Sequence, residues 1–486
     1  MHMNAIRTQG TRFVDDAGRE RIFCGVNVVD KSDYDAHGTQ TFPLTEKDLR
    51  RFREHGINLI RLGFTWAKLE PAIGQYNEAY LDSVSDVLDL CAQYEIYVFL
   101  DMHQDLFSPV TNGDGAPRWA TLTNGHKVHP TRFVWAEDYF WGKACHSAFD
   151  HFWANTPVGG VGLQDRFAAL WAHVAARLGG KDAVIGFDLF NEPFPGTPGG
   201  ACFRSIVGGA AKAVLFGRNV HRVQLLRDLR DPDRKAKGYG HITYPVLREA
   251  TRALDAVIAR FDRTKYTPFL RRVGKAIRDT GTDKLLFIEN NYYSNLGVPC
   301  RAEPIAFGGR RDAQQAFAPH AYDFMVDTPD YRYASNERVG GIFGEHAKTQ
   351  KRLQMPVVVG EWGGFGSPDD DQWLGHISFL LALFDRSKWS HAYWQYGDAF
   401  FDSPLMRVFV RPYPQAVCGT IEQYAFDPQT RVFRMTFSQD APGESTVCTP
   451  FPVRELTVDG ETGDCTCGGV TSVRTPAGRH TIEIQF

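Results

Sequence analysis

Eight short apolar runs recur between residue 22 and residue 394, and they constrain the fold more than any other feature of the chain. They lie at 22–26, 58–62, 96–100, 184–188, 285–288, 316–319, 356–359 and 392–394. A strand with one wet face alternates apolar and polar residues, whereas runs apolar throughout require cover on both faces. Between them, Leu81, Val84, Val87, Leu88 and Cys91 keep helical spacing, as do Phe167, Leu170, Trp171, Val174 and Leu178, which end at Gly179-Gly180. Eight strands alternating with helices predict an α/β fold, a (β/α)8 TIM barrel, over residues 1–408.

The texture changes after about residue 410. Val432, Met435 and Phe437 share a strand-like run, Leu456 and Val458 precede Asp459-Gly460, and Ile482, Ile484 and Phe486 alternate strictly. Short strands with turn signals predict a C-terminal antiparallel β-sandwich over residues 409–486. A long insertion at about 194–243 follows the fourth run and shows no strand pattern, so it falls on the face where barrel loops shape binding. Its basic part, 218–237, is interleaved with Asp228, Asp231 and Asp233 and reads as a solvated helix face. Its apolar part includes Ala210, Ala211, Ala213, Val214, Leu215 and Phe216, and fits either a helix packed on the barrel or a flap facing lipid.

Composition narrows the ligand. Lys+Arg 54 against Asp+Glu 57 leaves a net charge of −3, which removes the electrostatic case for nucleic acid or another polyanion. Phe 35, Tyr 18 and Trp 10 suit a sugar-stacking or lipid-contacting cleft as well as a large core. Of the nine cysteines, Cys24 and Cys91 read as buried thiols, while Cys418, Cys448, Cys465 and Cys467 crowd a Gly- and Thr-rich tail where disulfides are useful. The expectation is a secreted or extracytoplasmic protein. Met1-His2-Met3-Asn4 carries no signal-peptide apolar core, and a removed signal peptide is part of that expectation.

Two glutamates end apolar runs. Glu192 closes Phe187-Asp188-Leu189-Phe190-Asn191-Glu192-Pro193, and Glu361 closes Val357-Val358-Val359-Gly360-Glu361. Residues at the C-terminal ends of barrel strands face the active site, so the two carboxyls are placed to converge. A pair of carboxyls is what glycosidic hydrolysis needs, one as proton donor and the other as nucleophile or base. A barrel-mouth salt bridge is the structural alternative for either residue alone.

With these motifs the chain resembles glycoside hydrolase family 5, a retaining (β/α)8 family, over most of residues 20–400. The resemblance implies that Glu192 in Asn191-Glu192-Pro193 is the acid/base and Glu361 the nucleophile. It further implies substrate-site roles for Arg61 in Ile60-Arg61-Leu62, for His103 and Asp105 in Asp101-Met102-His103-Gln104-Asp105, and for Asn191. His320 and Tyr322 in Pro319-His320-Ala321-Tyr322, and Trp394 in the eighth run, complete that set. Physical reasons accompany these roles: Arg61 and Tyr322 can hold Glu361 ionised, Asn191 can bind the sugar 2-hydroxyl, and Trp394 offers a flat face to a pyranose. Core packing is the alternative for Trp394 and His103.

Within the family, Lys31, the stretch from Asp101 to Asp105, Trp119 in Gly115-Ala116-Pro117-Arg118-Trp119 and the second domain resemble the endoglycoceramidase group. That resemblance implies a retaining endo-β-glycosidase that separates glycan from ceramide, with a glycosphingolipid substrate, contact with a lipid or micelle surface, a monomeric state, and no metal or organic cofactor. Alternatives are an exo-acting glucosylceramidase or steryl-β-glucosidase, a glucan or mannan endohydrolase, and a catalytically dead binding protein on the same scaffold. The long insertion and Gly-Glu-Trp, where many relatives have Gly-Glu-Phe, are departures that leave the preferred glycan open.

Overall fold

A computed structural model describes residues 3–32, 41–132, 134–216, 222–231, 235–328, 330–364, 371–463 and 469–486. Each apolar run forms a barrel strand: β1 (Cys24–Val29), β2 (Leu59–Thr65), β3 (Tyr97–His103), β4 (Val184–Asp188), β5 (Leu285–Glu289), β6 (Gln315–Ala318), β7 (Val358–Trp362) and β8 (Ser390–Tyr393). They pair in parallel in the order β6-β5-β4-β3-β2-β1-β8-β7. Parallel bridges Phe317 to Val357 and His320 to Glu361 join β6 to β7 and close the ring. Except for the half-buried Val29 that ends β1, every strand residue is buried, as the continuous apolar runs require. The two helices expected from periodicity are Glu78–Gln93 and Leu163–Leu178, and they bury the predicted stripes.

The second unit contains two antiparallel sheets. One holds Thr420–Asp427, Val432–Gln439, Gly478–Gln485, Glu455–Val458 and Glu461–Thr462. The other holds Tyr413–Cys418, Gly443–Cys448 and Val470–Thr475, extended by Ile6–Gln9, Arg12–Asp15 and Arg19–Arg21. The expected division at 408/409 therefore misassigns the N-terminus: residues 6–21 belong to the sandwich sheet, with Ala416 opposite Arg21 and Cys418 opposite Arg19. The chain starts in one unit, forms the barrel, and returns. Lys388 Nζ donates to the Ile421 carbonyl at 2.9 Å, and Arg411 pairs with Asp385, across the junction.

Cys418 and Cys448 are free thiols, and Cys465 and Cys467 lie outside the described residues. Among the described residues no disulfide links Cys418 or Cys448. The insertion is helical, with Thr197–Phe216, Arg222–Arg230 and Lys235–Gly240 followed by Tyr244–Thr251. Gly209 lets the first and last of these helices touch, since a Cβ there would sit 2.6 Å from the Ala250 carbonyl. Ala210 is half-buried, whereas the side chains of Val214, Leu215 and Phe216 lie outside the described residues.

Candidate active site

The C-terminal ends of the barrel strands converge on one buried guanidinium. Arg61 on β2 donates Nη1 to Glu361 Oε1 at 2.8 Å, Nε to Asp188 Oδ2 at 2.8 Å, and Nη2 to Asn191 Oδ1 at 2.9 Å and to Glu289 Oε1 at 2.6 Å. Asp101 Oδ1 lies 2.9 Å from Nη2. Asn27 of β1 accepts from Nη1 at 3.1 Å and donates to the Gly360 carbonyl at 2.9 Å. Arg61 is fully buried, so a planar fork is the side chain suited to satisfying so many acceptors without water.

Glu361, the penultimate residue of β7, receives Arg61 on one oxygen and the Tyr322 hydroxyl on the other, at 3.0 Å. Gly360 has a local reason. A Cβ at that position would lie 2.7 Å from His320 Nε2, so only glycine lets the imidazole pack behind the carboxylate.

Glu192 sits just beyond β4 in a left-handed backbone, with φ of 42°, which costs a non-glycine residue about 1–3 kcal/mol. Its peptide is tied down from both sides. The Glu192 N–H donates to Glu289 Oε2 at 2.7 Å, Gln104 Nε2 donates to the Asn191 carbonyl at 2.9 Å, and Asn191 Nδ2 donates back to the Gln104 carbonyl at 2.9 Å. The carboxyl accepts from Asn295 Nδ2 at 2.6 Å and faces His320 Nδ1 at 3.2 Å. Burial, with the Asp105 charge nearby, pushes the Glu192 carboxyl up to about 7. Burial pushes His320 down to about 3, so the imidazole between the two glutamates is neutral. Carboxyl oxygens of Glu192 and Glu361 and a His320 nitrogen all lie within 4.8 Å of one another. That spacing suits direct attack on a bound sugar, since a gap of about 6.5–9.5 Å is needed to admit a water.

A polar shelf adjoins this pair. Lys31, half-buried after β1, pairs with Asp105 and lies 3.7 Å from Asp114. Its ammonium is 4.7 Å from the Trp394 ring, which stacks on His103 at 5.4 Å. Burial and Lys31 oppose a charge on His103, but Asp101 at 2.8 Å and Asp105 prevail and raise it to about 10. Trp394 is half-buried, leaving ring surface for a sugar. His103, Asp105 and Asp114 have metal-ligand chemistry within 4.8 Å, but Lys31 already supplies a cation to the two carboxylates.

All the expected site residues except Trp119 gather here. Trp119 instead donates its indole N–H to the Glu70 carbonyl at 3.1 Å and packs edge-on against Trp66, with Arg166 over its ring. Sequence reasoning gave no role to Asn27, Asp101, Asp188, Glu289 or Asn295. The available signal was the polar triplet Glu289-Asn290-Asn291 following the fifth apolar run.

The match to known proteins follows this geometry. The model described as Cellulase (glycosyl hydrolase family 5) matches residues 24–400, and the glycoside hydrolase family 5 C-terminal domain matches residues 411–483. The chain belongs to glycoside hydrolase family 5. It is 27% identical over 452 residues to endoglycoceramidase I of Rhodococcus hoagii, covering 90% of this chain and 78% of the relative. Identity to the Hydra vulgaris endoglycoceramidase is 25% over 473 residues, covering 89% and 77%. The structure of endo-glycoceramidase II from Rhodococcus sp. superposes with a TM-score of 0.73 at 25% identity, over 97% of this chain and 98% of that one. That Rhodococcus enzyme has also been solved as a lactosyl-enzyme intermediate and with ganglioside GM3.

Proposed function

We propose that this family 5 glycoside hydrolase is a retaining endo-β-glycosidase that releases intact glycan from ceramide in glycosphingolipids. One observation carries the chemistry: two buried glutamates within 4.8 Å, one receiving Arg61 and Tyr322, the other raised to about 7. In the first step Glu361 attacks the anomeric carbon while Glu192 gives its proton to the departing ceramide oxygen, forming a glycosyl ester on Glu361. In the second, Glu192 takes a proton from water, whose oxygen attacks the same carbon and frees Glu361. Glu192 can serve both steps because its pKa lies near neutrality. The relatives' activities support the choice of substrate.

Contact with the lipid is supported by an aromatic face on loops leaving the same end of the barrel. Trp135 and Trp141 follow β3 and are 43% and 45% exposed, and Val207 on the insertion helix is 54% exposed. Phe203 of that helix stacks on Phe140 at 4.0 Å and meets Trp141 edge-on at 4.9 Å. The face continues inward through Tyr292 and Tyr139 to Gln104, which holds the Asn191 peptide. Half-exposed Trp on such a rim suits the boundary between acyl chains and headgroups.

Mass spectrometry of products from glucosyl-, galactosyl- and lactosyl-ceramides tests the reading. Intact disaccharide plus ceramide from lactosylceramide is expected. Stepwise release of monosaccharide would replace it with the exo-acting alternative.

A further inference from the structure

Glu289, at the end of β5, touches the supports of both catalytic glutamates with a single carboxyl. Oε1 accepts from Arg61 Nη2 at 2.6 Å, and Arg61 Nη1 in turn holds Glu361. Oε2 accepts the backbone N–H of Glu192 at 2.7 Å, fixing the left-handed peptide that aims the acid/base. The neighbouring residue repeats the pattern. Asn290 Oδ1 accepts from the His320 N–H at 2.8 Å, and Asn290 Nδ2 donates at 2.6 Å to Asn295 Oδ1, whose own amide holds the Glu192 carboxyl. Glu289 is 1% exposed and lies behind this assembly, where substrate has no access.

We propose that Glu289 is a positioning residue that sets the relative geometry of the nucleophile and the acid/base. No other described residue both accepts from Arg61 and binds the Glu192 backbone. Burial and the neighbouring Asp188 charge raise the Glu289 pKa well above the usual carboxylate range, and Glu289 hydrogen-bonds Asp188.

The inference rests on Glu192 and Glu361 being the catalytic pair. The test is Glu289→Gln in the full chain, which keeps the shape but puts an NH2 where one of two donors needs an acceptor. Active sites are titrated with a 2-deoxy-2-fluoro-lactoside bearing a good leaving group, and kcat is measured per titrated site. Substrates are lactosylceramide, which needs the acid, and 2,4-dinitrophenyl lactoside, which does not. A fall of about a hundredfold on both is expected, because misplacement by about 1 Å costs that much, with KM within about threefold. Glu289→Asp, which retracts the acid by one methylene, is expected to be impaired on both in the same sense and serves if the Gln variant does not fold. Unchanged kcat per titrated site, with only Tm or the titratable fraction reduced, would mean a purely structural role and overturn the proposal. So would loss on one substrate alone, since Glu289 would then serve one arm only. Mapping the fluorosugar to a residue other than Glu361 would overturn the catalytic pair and this proposal with it.

Discussion

The two glutamates proposed as the catalytic pair have the same side chain, are both buried, and place carboxyl oxygens within 4.8 Å of each other, yet their surroundings are opposite in kind. Glu361 lies within its strand, one residue before the end and at a register shift against β8, and receives a guanidinium and a phenol. Glu192 hangs on a left-handed turn beyond its strand and receives an amide and a neutral imidazole, with no cation in direct contact. Burial raises the Glu192 carboxyl, and no cationic donor in direct contact offsets it. A carboxylate facing Arg61 is suited to attack, and one left with neutral partners keeps a proton to give.

The largest effect that tests this contrast is loss of the nucleophile. Glu361→Ala should lose about 10⁵-fold or more on every substrate, because no part of the reaction proceeds without it. Azide should then return activity as the α-glycosyl azide. Glu192→Ala should lose roughly 10²–10⁴-fold on lactosylceramide and far less on a dinitrophenyl glycoside, whose leaving group needs no proton. Azide should here give the β-glycosyl azide, and reversed stereochemistry would exchange the two roles.

The contrast also fixes the sign of one pH limb. Glu192 must be protonated for the first step, and its pKa is raised to about 7. Activity on lactosylceramide is therefore held below that pH and should fall about tenfold per unit above it. The same limb should be missing from Glu192→Ala assayed on the dinitrophenyl glycoside. A limb that survives the mutation belongs to another group.

Much of this was legible in the sequence because doubly covered strands leave continuous apolar runs, and because barrel topology puts strand ends in the site. Each of the eight runs overlaps the strand it predicted, and Arg61, Glu192 and Glu361 come together although each is more than a hundred positions from the others. Glu289 was not legible: it extends the fifth run by one residue, and its partners Arg61 and Glu192 are distant in sequence. The N-terminal strands escaped for a similar reason, since Arg19 to Arg21 is polar and finds its partner only at residues 416–418. Trp119 followed a local motif, but Trp66 and the Glu70 carbonyl drew it elsewhere.

The smallest expected effect separates chemistry from lipid capture. Replacing Trp135 and Trp141 together with Ser should raise KM for lactosylceramide in detergent about tenfold, since each buried methylene-sized contact is worth roughly 0.8 kcal/mol. A soluble aryl lactoside should be nearly unaffected. Equal losses on both would show that the aromatic face supports the barrel and not the lipid.

Proton NMR of the first sugar released from lactosylceramide, recorded before mutarotation, tests the central claim most directly. Double displacement by a closely spaced Glu192 and Glu361 predicts intact lactose appearing as the β-anomer, with the α-anomer growing in later. Initial α-lactose would mean inversion and contradict the assigned mechanism. Free monosaccharide in place of lactose would contradict endo cleavage.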